Sequence, residues 1–152
     1  MGFEPQHLLV FRVDSDFSQK NRNTLYRDLQ DQLASLPGVT SVSRSGVALL
    51  SNSGMAGPIR SDGPSPVEVR AHGLPMSSNF LATMGIPLLR GRVFTDGGSK
   101  GAPQPKDVPI PAVVNEKLVH LMFGGENPIG KHFHLGSSGP FYEVTGVVGD
   151  AK

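Results

Sequence analysis

The sequence predicts an α+β fold, in which helices pack on a mixed β-sheet. Short stretches of alternating or unbroken apolar residues predict strands, and four leucines at helical spacing predict an amphipathic helix. Predicted strand–helix–strand segments alternate with predicted hairpins along the chain, and this order of elements favours the α+β class. A chain of 152 residues is long enough for one domain with a proper core, so residues 1–152 are expected to form a single domain.

The first predicted unit is a strand, a helix and a second strand. Residues 8–13 are apolar on both faces, which predicts a strand that is covered on both sides. A helix is predicted up to Leu36, because Pro37-Gly38 then removes a donor and permits a left-handed turn. Its core stripe is expected to consist of Leu25, Leu29, Leu33 and Leu36. The alternation over residues 39–43 predicts a second strand, with an extension as far as Leu50 left open.

The middle of the chain combines predicted loops with short elements. Residues 51–66 are rich in Ser, Gly and Pro and are predicted to be an exposed loop or hairpin tip. Residues 67–71 alternate apolar and polar side chains, as in a half-buried strand. A short helix is predicted up to Met84, followed by an extended stretch over residues 88–94. Residues 95–111 show no apolar period and are predicted to be a long loop.

The last third of the chain predicts a strand, a helix and a hairpin. Residues 112–114 form the short strand, and Asn115 is placed to cap the helix that follows. This helix carries Leu118, Val119, Met122 and Phe123 and is expected to end at Gly124-Gly125. Residues 131–135 and 141–148 are predicted to pair as the hairpin.

Composition excludes several classes of function. The formal net charge is +1, from 14 basic and 13 acidic residues that do not cluster, so no basic field exists to attract nucleic acid or anionic lipid. Cysteine is absent, which excludes disulfides and thiolate metal sites within these residues. No segment of the sequence has the apolar length of a membrane span or a signal peptide, so any membrane anchor is expected to lie outside these residues.

The spacing G-x-x-x-x-G-K at Gly125, Gly130 and Lys131 resembles a phosphate-binding P-loop. Such a loop needs a helix that opens at the lysine and a hydroxyl residue that binds magnesium. Here His132 stands in place of the hydroxyl residue, and Pro128 lacks an amide that phosphate would need. Because the following residues alternate like a strand, no helix dipole lies behind the anion, and the spacing does not predict a nucleotide site.

Three histidines are the candidate metal ligands of the sequence. His132 and His134 lie two residues apart on a predicted strand and therefore share a face, and His120 on the preceding helix could complete a zinc site. No carboxylate lies near enough in sequence to orient the imidazole rings. Exposed strand histidines without a metal are the favoured interpretation, so we predict no metal, cofactor or catalytic residue.

Five segments, in this order, resemble the MacB-like periplasmic core domain of FtsX-like ABC-transporter permeases, and most of all the acidobacterial duplicated type. They are residues 2–5 (GFEP), 33–42 (LASLPGVTSV), 80–94 (FLATMGIPLLRGRVF), 112–131 (AVVNEKLVHLMFGGENPIGK) and 142–152 (YEVTGVVGDAK). Their most specific parts are MGIPLLRGR, NPIGK and VTGVVGD. The resemblance implies that these motifs specify the fold through turns and packing, and it assigns no binding residue.

The resemblance implies a non-catalytic domain on the extracytoplasmic (periplasmic) side of the cell membrane, as a fragment of a larger permease. Such a domain engages a substrate or partner and transmits conformational change that a separate cytoplasmic ATPase drives. The implied partners are the transmembrane helices of the permease, the ATPase indirectly, and other envelope proteins. Nucleic acid is not among them, and a homodimer through strand pairing is left open. Both ends of the domain are expected to face the membrane.

Two other classes of function remain open from the residues alone. The first is a small metal-dependent hydrolase that uses His120, His132 and His134, for which a deep cleft with clustered titratable groups is expected. The second is a ligand-binding module with a pocket between the sheet and its helices. A shallow surface lying away from both ends of the chain would favour the permease domain instead.

Overall fold

The structure is a computed structural model of the chain, and it describes residues 6–13, 19–47, 55–95, 108–136 and 139–150. These residues contain three helices and six strands. The helices are α1 (Gln19–Ala34), α2 (Phe80–Thr83) and α3 (Glu116–Phe123). The strands are β1 (Met55–Ser61), β2 (Glu68–Gly73), β3 (Leu88–Gly91), β4 (Ile110–Asn115), β5 (His132–Leu135) and β6 (Phe141–Val148).

The six strands join one mixed sheet, which confirms the predicted α+β class. β2, β1, β5, β6 and β3 follow one another as antiparallel neighbours, and β4 pairs with β6 in parallel. β4 occupies one edge of β6 along most of its length. β5 and β3 share the other edge, at the beginning and at the end of β6. β6 is therefore the centre of the sheet.

Helices cover the two faces of the sheet at different places. Ala112 and Val114 of β4 point to the face that carries α3, and Val113 between them points to the face that carries α2, since side chains alternate along a strand. The core under α3, here the α3 core, consists of Ile59, Val114, Val119, Met122, Phe133, Val144 and Val147. The smaller group on the other face, here the α2 cluster, consists of Phe80, Leu81 and Met84.

A bulge in β6 adjusts which side chains reach the α3 core. In the pairing with β4, Thr145 is skipped between Val144 and Gly146. The buried hydroxyl of Thr145 donates a hydrogen bond to the carbonyl of Ala112 at 3.3 Å, so its polar group is satisfied. The extra residue lets both Val144 and Val147 face the α3 core, where they are fully buried.

The first predicted strand, residues 8–13, is wrong for this structure. These residues carry no regular secondary structure. A strand needs a neighbour for its backbone groups, and Leu9, Val10 and Phe11 form no backbone hydrogen bond with any other described residue. The apolar pattern shows what the segment can bury, but no strand lies beside it within the described residues.

The second predicted strand, residues 39–50, is also wrong where the structure describes it, and its last three residues lie outside the described part. Only Ser45 forms a bridge, and that bridge is isolated. The carbonyl of Val42 instead accepts hydrogen bonds from the side-chain amides of Gln30 at 3.0 Å and Asn79 at 2.6 Å. Side chains therefore satisfy backbone groups that a strand ladder would otherwise use.

The predicted loop over residues 51–66 is wrong over residues 55–61, which form β1. The sequence hides this strand because Gly57 and Pro58 both count against a strand assignment. Pro58 stands just beyond the residues of β1 that pair with β5, where a missing donor is tolerated. Its carbonyl still accepts a hydrogen bond from the backbone N–H of Gly136 at 2.8 Å.

The later elements follow the sequence pattern more closely. The structure confirms β2, α3 and the hairpin of β5 and β6, all of which have strong local signals. The predicted loop over residues 95–111 ends early, because β4 already begins at Ile110. Residues 96–107 of that loop lie outside the described part of the chain.

The predicted first helix is confirmed as α1, but its leucine stripe is not a core. Leu25, Leu29 and Leu33 are only half-buried, and they belong to neither the α3 core nor the α2 cluster. α1 ends at Ala34, and Leu36 beyond it is exposed. The apolar face of α1 is therefore incompletely covered in this chain.

Gly146 and Gly57 provide a matched test of the packing around β6. A Cβ at Gly146 would lie 2.8 Å from the carbonyl oxygen of Arg92, whereas a Cβ at Gly57 would meet nothing closer than a Leu135 methyl at 3.8 Å. We expect Gly146→Ala to lower the free energy of unfolding by about 2 kcal/mol, because β3 must move away from β6. Gly57→Ala should change it by less than about 0.5 kcal/mol. Urea unfolding followed by circular dichroism measures both, and equal effects would show that the two strands are not closely packed.

Candidate functional site

The three most specific motifs of the sequence meet at the middle of β6. The backbone N–H of Arg92 donates to Thr145 at 2.8 Å, and that of Gly130 donates to Val144 at 2.8 Å. Gly91 has a φ of +77°, and a Cβ there would lie 2.7 Å from the Ile129 methyl. MGIPLLRGR, NPIGK and VTGVVGD are therefore neighbours in space, and the contacts between them are backbone packing rather than a binding site.

The NPIGK turn does not form a phosphate site. Gly130 has a φ of +82°, and the chain continues directly into β5 instead of a helix. The ammonium group of Lys131 pairs with the carboxylate of Glu126 and lies 5.3 Å from the centre of the Phe123 ring. The hydrogen bond and the charge of Lys131 lower the pKa of Glu126 below its ordinary value. The lysine that a P-loop would offer to phosphate is thus already engaged within its own turn.

Asp150, at the end of VTGVVGD, binds the start of α3. Its carboxylate accepts hydrogen bonds from the side-chain amide of Asn115 at 2.8 Å and from the backbone N–H of Lys117 at 2.9 Å. Asn115 itself caps the helix by accepting from the backbone N–H of Leu118 at 3.2 Å. Two side chains from the same end of the parallel strands β4 and β6 therefore satisfy two free amides at the start of α3.

His132 and His134 share the face of the sheet opposite the α3 core, as their spacing predicts. Both imidazoles pack against the ring of Phe141, with ring centres at 4.7 and 5.0 Å. Nε2 of His134 lies 2.9 Å from a carboxylate oxygen of Asp62, which follows β1. Residue spacing could not predict Asp62 as a partner, because it reaches His134 only through the pairing of β1 with β5.

The three candidate ligands are not brought together. His120 lies on α3, which covers the opposite face of the sheet from His132 and His134. Among the described residues, no group of three or more His, Asp or Glu side chains is placed to hold a metal ion. The described geometry therefore offers no three-histidine zinc site.

A depression on the described surface lies beside the pair of His134 and Asp62. It has a volume of about 260 Å³ and is lined by Arg60, Ser61, Asp62, Gly63, Pro66, His134 and Gly136. Ser61 could suggest a nucleophile, but its side chain is buried and accepts a hydrogen bond from the backbone N–H of Val67 at 2.9 Å. This depression provides a histidine–carboxylate pair without an available nucleophile beside it.

Comparison with known proteins identifies the family. Residues 2–152 match the MacB-like periplasmic core domain. The chain belongs to this family. The resemblance seen in the motifs is thereby confirmed over nearly the whole sequence. No curated protein matches the chain in sequence.

Solved structures with the same fold support the assignment. The periplasmic region of MacB from Actinobacillus actinomycetemcomitans is 18% identical with a TM-score of 0.53, over 88% of this chain and 57% of that one. The extracellular domain of the noncanonic ABC-type transporter YknZ from Gram-positive bacteria is 18% identical with a TM-score of 0.50, over 82% of this chain and 57% of that one. This member of the MacB-like family therefore spans less than two thirds of either relative. None of the helices described here is long and apolar enough to cross a membrane.

The contact between Asp150 and α3 can be tested by removing the carboxylate. We expect Asp150→Ala to lower the free energy of unfolding by about 1 kcal/mol, because Lys117 N–H loses its acceptor at the helix start. Asp28→Ala removes the same charge from the exposed side of α1 and should change stability by less than about 0.5 kcal/mol. Thermal and urea unfolding of both variants gives the comparison. Equal losses would mean that charge, and not capping, is responsible.

The pair of Lys131 and Glu126 predicts a pH effect. Because Lys131 lowers the pKa of Glu126 in the folded state, the pair stabilises the fold at neutral pH, and this contribution disappears as the pH falls through the lowered pKa. Lys131→Met should raise the pKa of Glu126 towards its ordinary value, as measured by NMR titration of the side-chain carboxyl. Lys117→Met, which removes a lysine from α3, is the control. An unchanged pKa in Lys131→Met would refute the assigned cause.

Proposed function

We propose that the chain is a non-catalytic extracytoplasmic domain of an ABC-transporter permease, and that residues 1–152 form one domain of a larger membrane protein. In this proposal the domain engages a substrate or a partner protein and transmits conformational change that a separate cytoplasmic ATPase drives. Membership of the MacB-like periplasmic core domain family supports the general class. The contacts of Leu8 and Val148 with one and the same cluster support the mechanical role.

The observation that carries the proposal is that both ends of the described chain reach the same cluster. Leu8, near the start, packs against the α2 cluster. Val148, at the end of β6, packs against the same cluster from the sheet. A displacement near the start of the described chain would therefore reach the end of β6 through one small cluster, which suits a domain that passes movement on.

The centre of the sheet is suited to move as a rigid body. β6 is paired along both edges, and its two core valines are fully buried. Packing of this density allows little internal deformation, so a displacement applied at the end of β6 is passed to the rest of the sheet. In our proposal, movements of the membrane segments therefore reach the outer surface of the sheet through β6.

The partner-facing surface that we propose is the sheet face opposite the α3 core. Away from α2, this face carries polar side chains such as Arg60, Arg70 and His134, and the depression beside His134 is small. The remaining partners of the proposal are the transmembrane helices of the permease and, indirectly, the ATPase. Other envelope proteins and a second copy of the permease are further candidates for this surface.

The mechanical role can be tested with a fluorophore on the sheet. The chain contains no cysteine, so Arg70→Cys on exposed β2 provides a single labelling position within these residues. The complete permease and its ATPase would be reconstituted in bilayers that contain acceptor-labelled lipid headgroups. We expect the efficiency of energy transfer from position 70 to the lipids to differ between the nucleotide-free and the ATP-bound state, because the domain moves relative to the membrane.

Two controls make the result decisive. An ATPase variant that cannot bind ATP should abolish the difference, and Arg70→Cys should react with a membrane-impermeant maleimide in intact cells. Identical transfer efficiencies in both states, in a sample that hydrolyses ATP normally, would refute transmission of movement by this domain. Failure of the maleimide reaction in cells would refute the extracytoplasmic location.

A further inference from the structure

Both histidines of β5 lie among charged side chains on the sheet face opposite the α3 core. On β6, Phe141 lies opposite His134, and Glu143 lies opposite His132. On β1, Arg60 lies opposite His134. Directly opposite residues of antiparallel strands point to the same face, so each of the two histidines has a charged cross-strand neighbour.

A further carboxylate comes from Asp62, directly after β1. One of its oxygens lies 2.9 Å from Nε2 of His134. On the far side of Arg60, β2 adds one acidic and one basic residue to the same face, Glu68 and Arg70, whose charges cancel. On the far side of β6, β4 carries no charged residue. The charge around the two histidines is therefore set by their direct neighbours.

The net charge of this group changes sign when the histidines are protonated. Arg60, Asp62, His132, His134 and Glu143 together are called the β5 charge patch. With neutral histidines, one arginine stands against two carboxylates, which gives a net charge of −1. Histidine is the side chain that ordinarily changes its charge between pH 5 and pH 8. Two protons, one on each histidine, would give the same patch a net charge of +1.

The depression beside β5 brings two nitrogen-bearing side chains of the patch together. Its volume is about 260 Å³, and both Arg60 and His134 line it. Arg60 is exposed, and no carboxylate of the described residues lies within ion-pair distance of its guanidinium group. A guanidinium group offers a planar set of N–H donors that matches the two oxygens of a carboxylate. The depression therefore has room and donors for a carboxylate from another molecule.

We propose that the β5 charge patch binds an acidic segment of a partner protein, and that protonation of His132 and His134 strengthens this binding. At neutral pH the patch repels a run of Asp and Glu side chains, whereas at acidic pH it attracts one. Arg60 holds one carboxylate in the depression, and the protonated His134 neutralises Asp62 beside it. The inference rests on the proposed function, because it gives the chemistry and the regulation of the partner-facing surface.

An extended acidic segment is the occupant that best fits the patch. The depression is smaller than the roughly 300–1,000 Å³ of small-molecule pockets, so it suits one side chain of a larger partner. His132 and His134 are two residues apart on a strand, about 7 Å, and alternate side chains of an extended peptide repeat at the same distance. A basic segment fits less well, because the carboxylate of Asp62 is already paired with His134.

Binding of a rhodamine-labelled peptide of ten aspartates to the 152-residue chain tests the proposal. Aspartate stays ionised between pH 5.5 and pH 8, so the peptide keeps its charge. Fluorescence anisotropy should give a dissociation constant about 10-fold lower at pH 5.5 than at pH 8, because two positive charges are added close to the bound carboxylates. A peptide of alternating Gly and Ser should not bind at either pH. Equal affinity at both pH values, or no binding at pH 5.5, would overturn the proposal.

Matched histidine variants separate the patch from the overall charge of the protein. His134→Gln keeps a polar side chain but cannot gain the proton, so the effect of pH should fall to about 3-fold. His120→Gln removes a histidine from α3, on the opposite side of the sheet, and should retain the full effect. Circular dichroism checks that both variants are folded. Equal losses in the two variants would mean that overall charge governs binding, and the proposal would be wrong.

A second probe distinguishes a protein partner from a membrane surface. Vesicles of phosphatidylglycerol would be sedimented with the chain at pH 5.5. Vesicle binding that requires His134, without binding of the aspartate peptide, would contradict the proposal in favour of a lipid surface. These measurements involve no ATP. Loss of the pH effect, with normal ATP-dependent movement of position 70, would refute this inference alone, and absence of that movement with the pH effect intact would refute only the mechanical role.

Discussion

Both edges of β6 are occupied, and the other strands take their positions from it. β4 fills one edge, whereas β5 and β3 divide the other between them. Two strands can share one edge only if the chain approaches β6 closely where they meet. This place is marked by Gly91 and Gly146, where a Cβ would meet backbone atoms of the neighbouring strand. A side chain at either glycine would push β3 away from β6. Close backbone approach at these two glycines is therefore a condition for the whole sheet.

The close approach of the strands to β6 also explains the G-x-x-x-x-G-K spacing around Lys131. Gly130 adopts a positive φ because the chain must turn sharply to bring β5 alongside β6, and the buried Pro128 fixes that turn. Lys131 then pairs with Glu126 inside the turn. A G-x-x-x-x-G-K spacing binds phosphate only when a helix follows it, and here a strand follows. Asp150 has a similar structural role, because its carboxylate accepts hydrogen bonds from the backbone N–H of Lys117 in α3 and from the side-chain amide of Asn115.

The accuracy of prediction from sequence differs between the two halves of the chain for a physical reason. α3 carries its own signals. The structure confirms that Asn115 caps its start and that it ends at Gly124, which adopts the left-handed conformation. Strands depend on neighbours, so the pattern over residues 8–13 could not reveal that no described strand lies beside it. β1 was missed because Gly57 and Pro58 look unfavourable until the pairing with β2 and β5 is known. At the candidate site, alternation placed His132 and His134 on one face, but the approach of Asp62 to His134 depends on that same unpredicted strand.

The two halves of the chain also differ in how completely their apolar side chains are buried, and the α2 cluster joins them. Around β6 the apolar side chains are buried, whereas α1 and residues 9–11 leave apolar surface open. Contacts between the halves include the packing of Leu8 on the α2 cluster and the hydrogen bond that Asn79, at the start of α2, donates to the carbonyl of Val42. α2 is a single turn without a side-chain cap, so its position depends on the elements packed around it rather than on its own stability. A displacement of the segment around Leu8 would therefore shift α2 before it could deform the sheet. Val113 of β4 and Val148 of β6 rest on the same cluster, so in the proposed mechanical role a shift of α2 would act on both strands together.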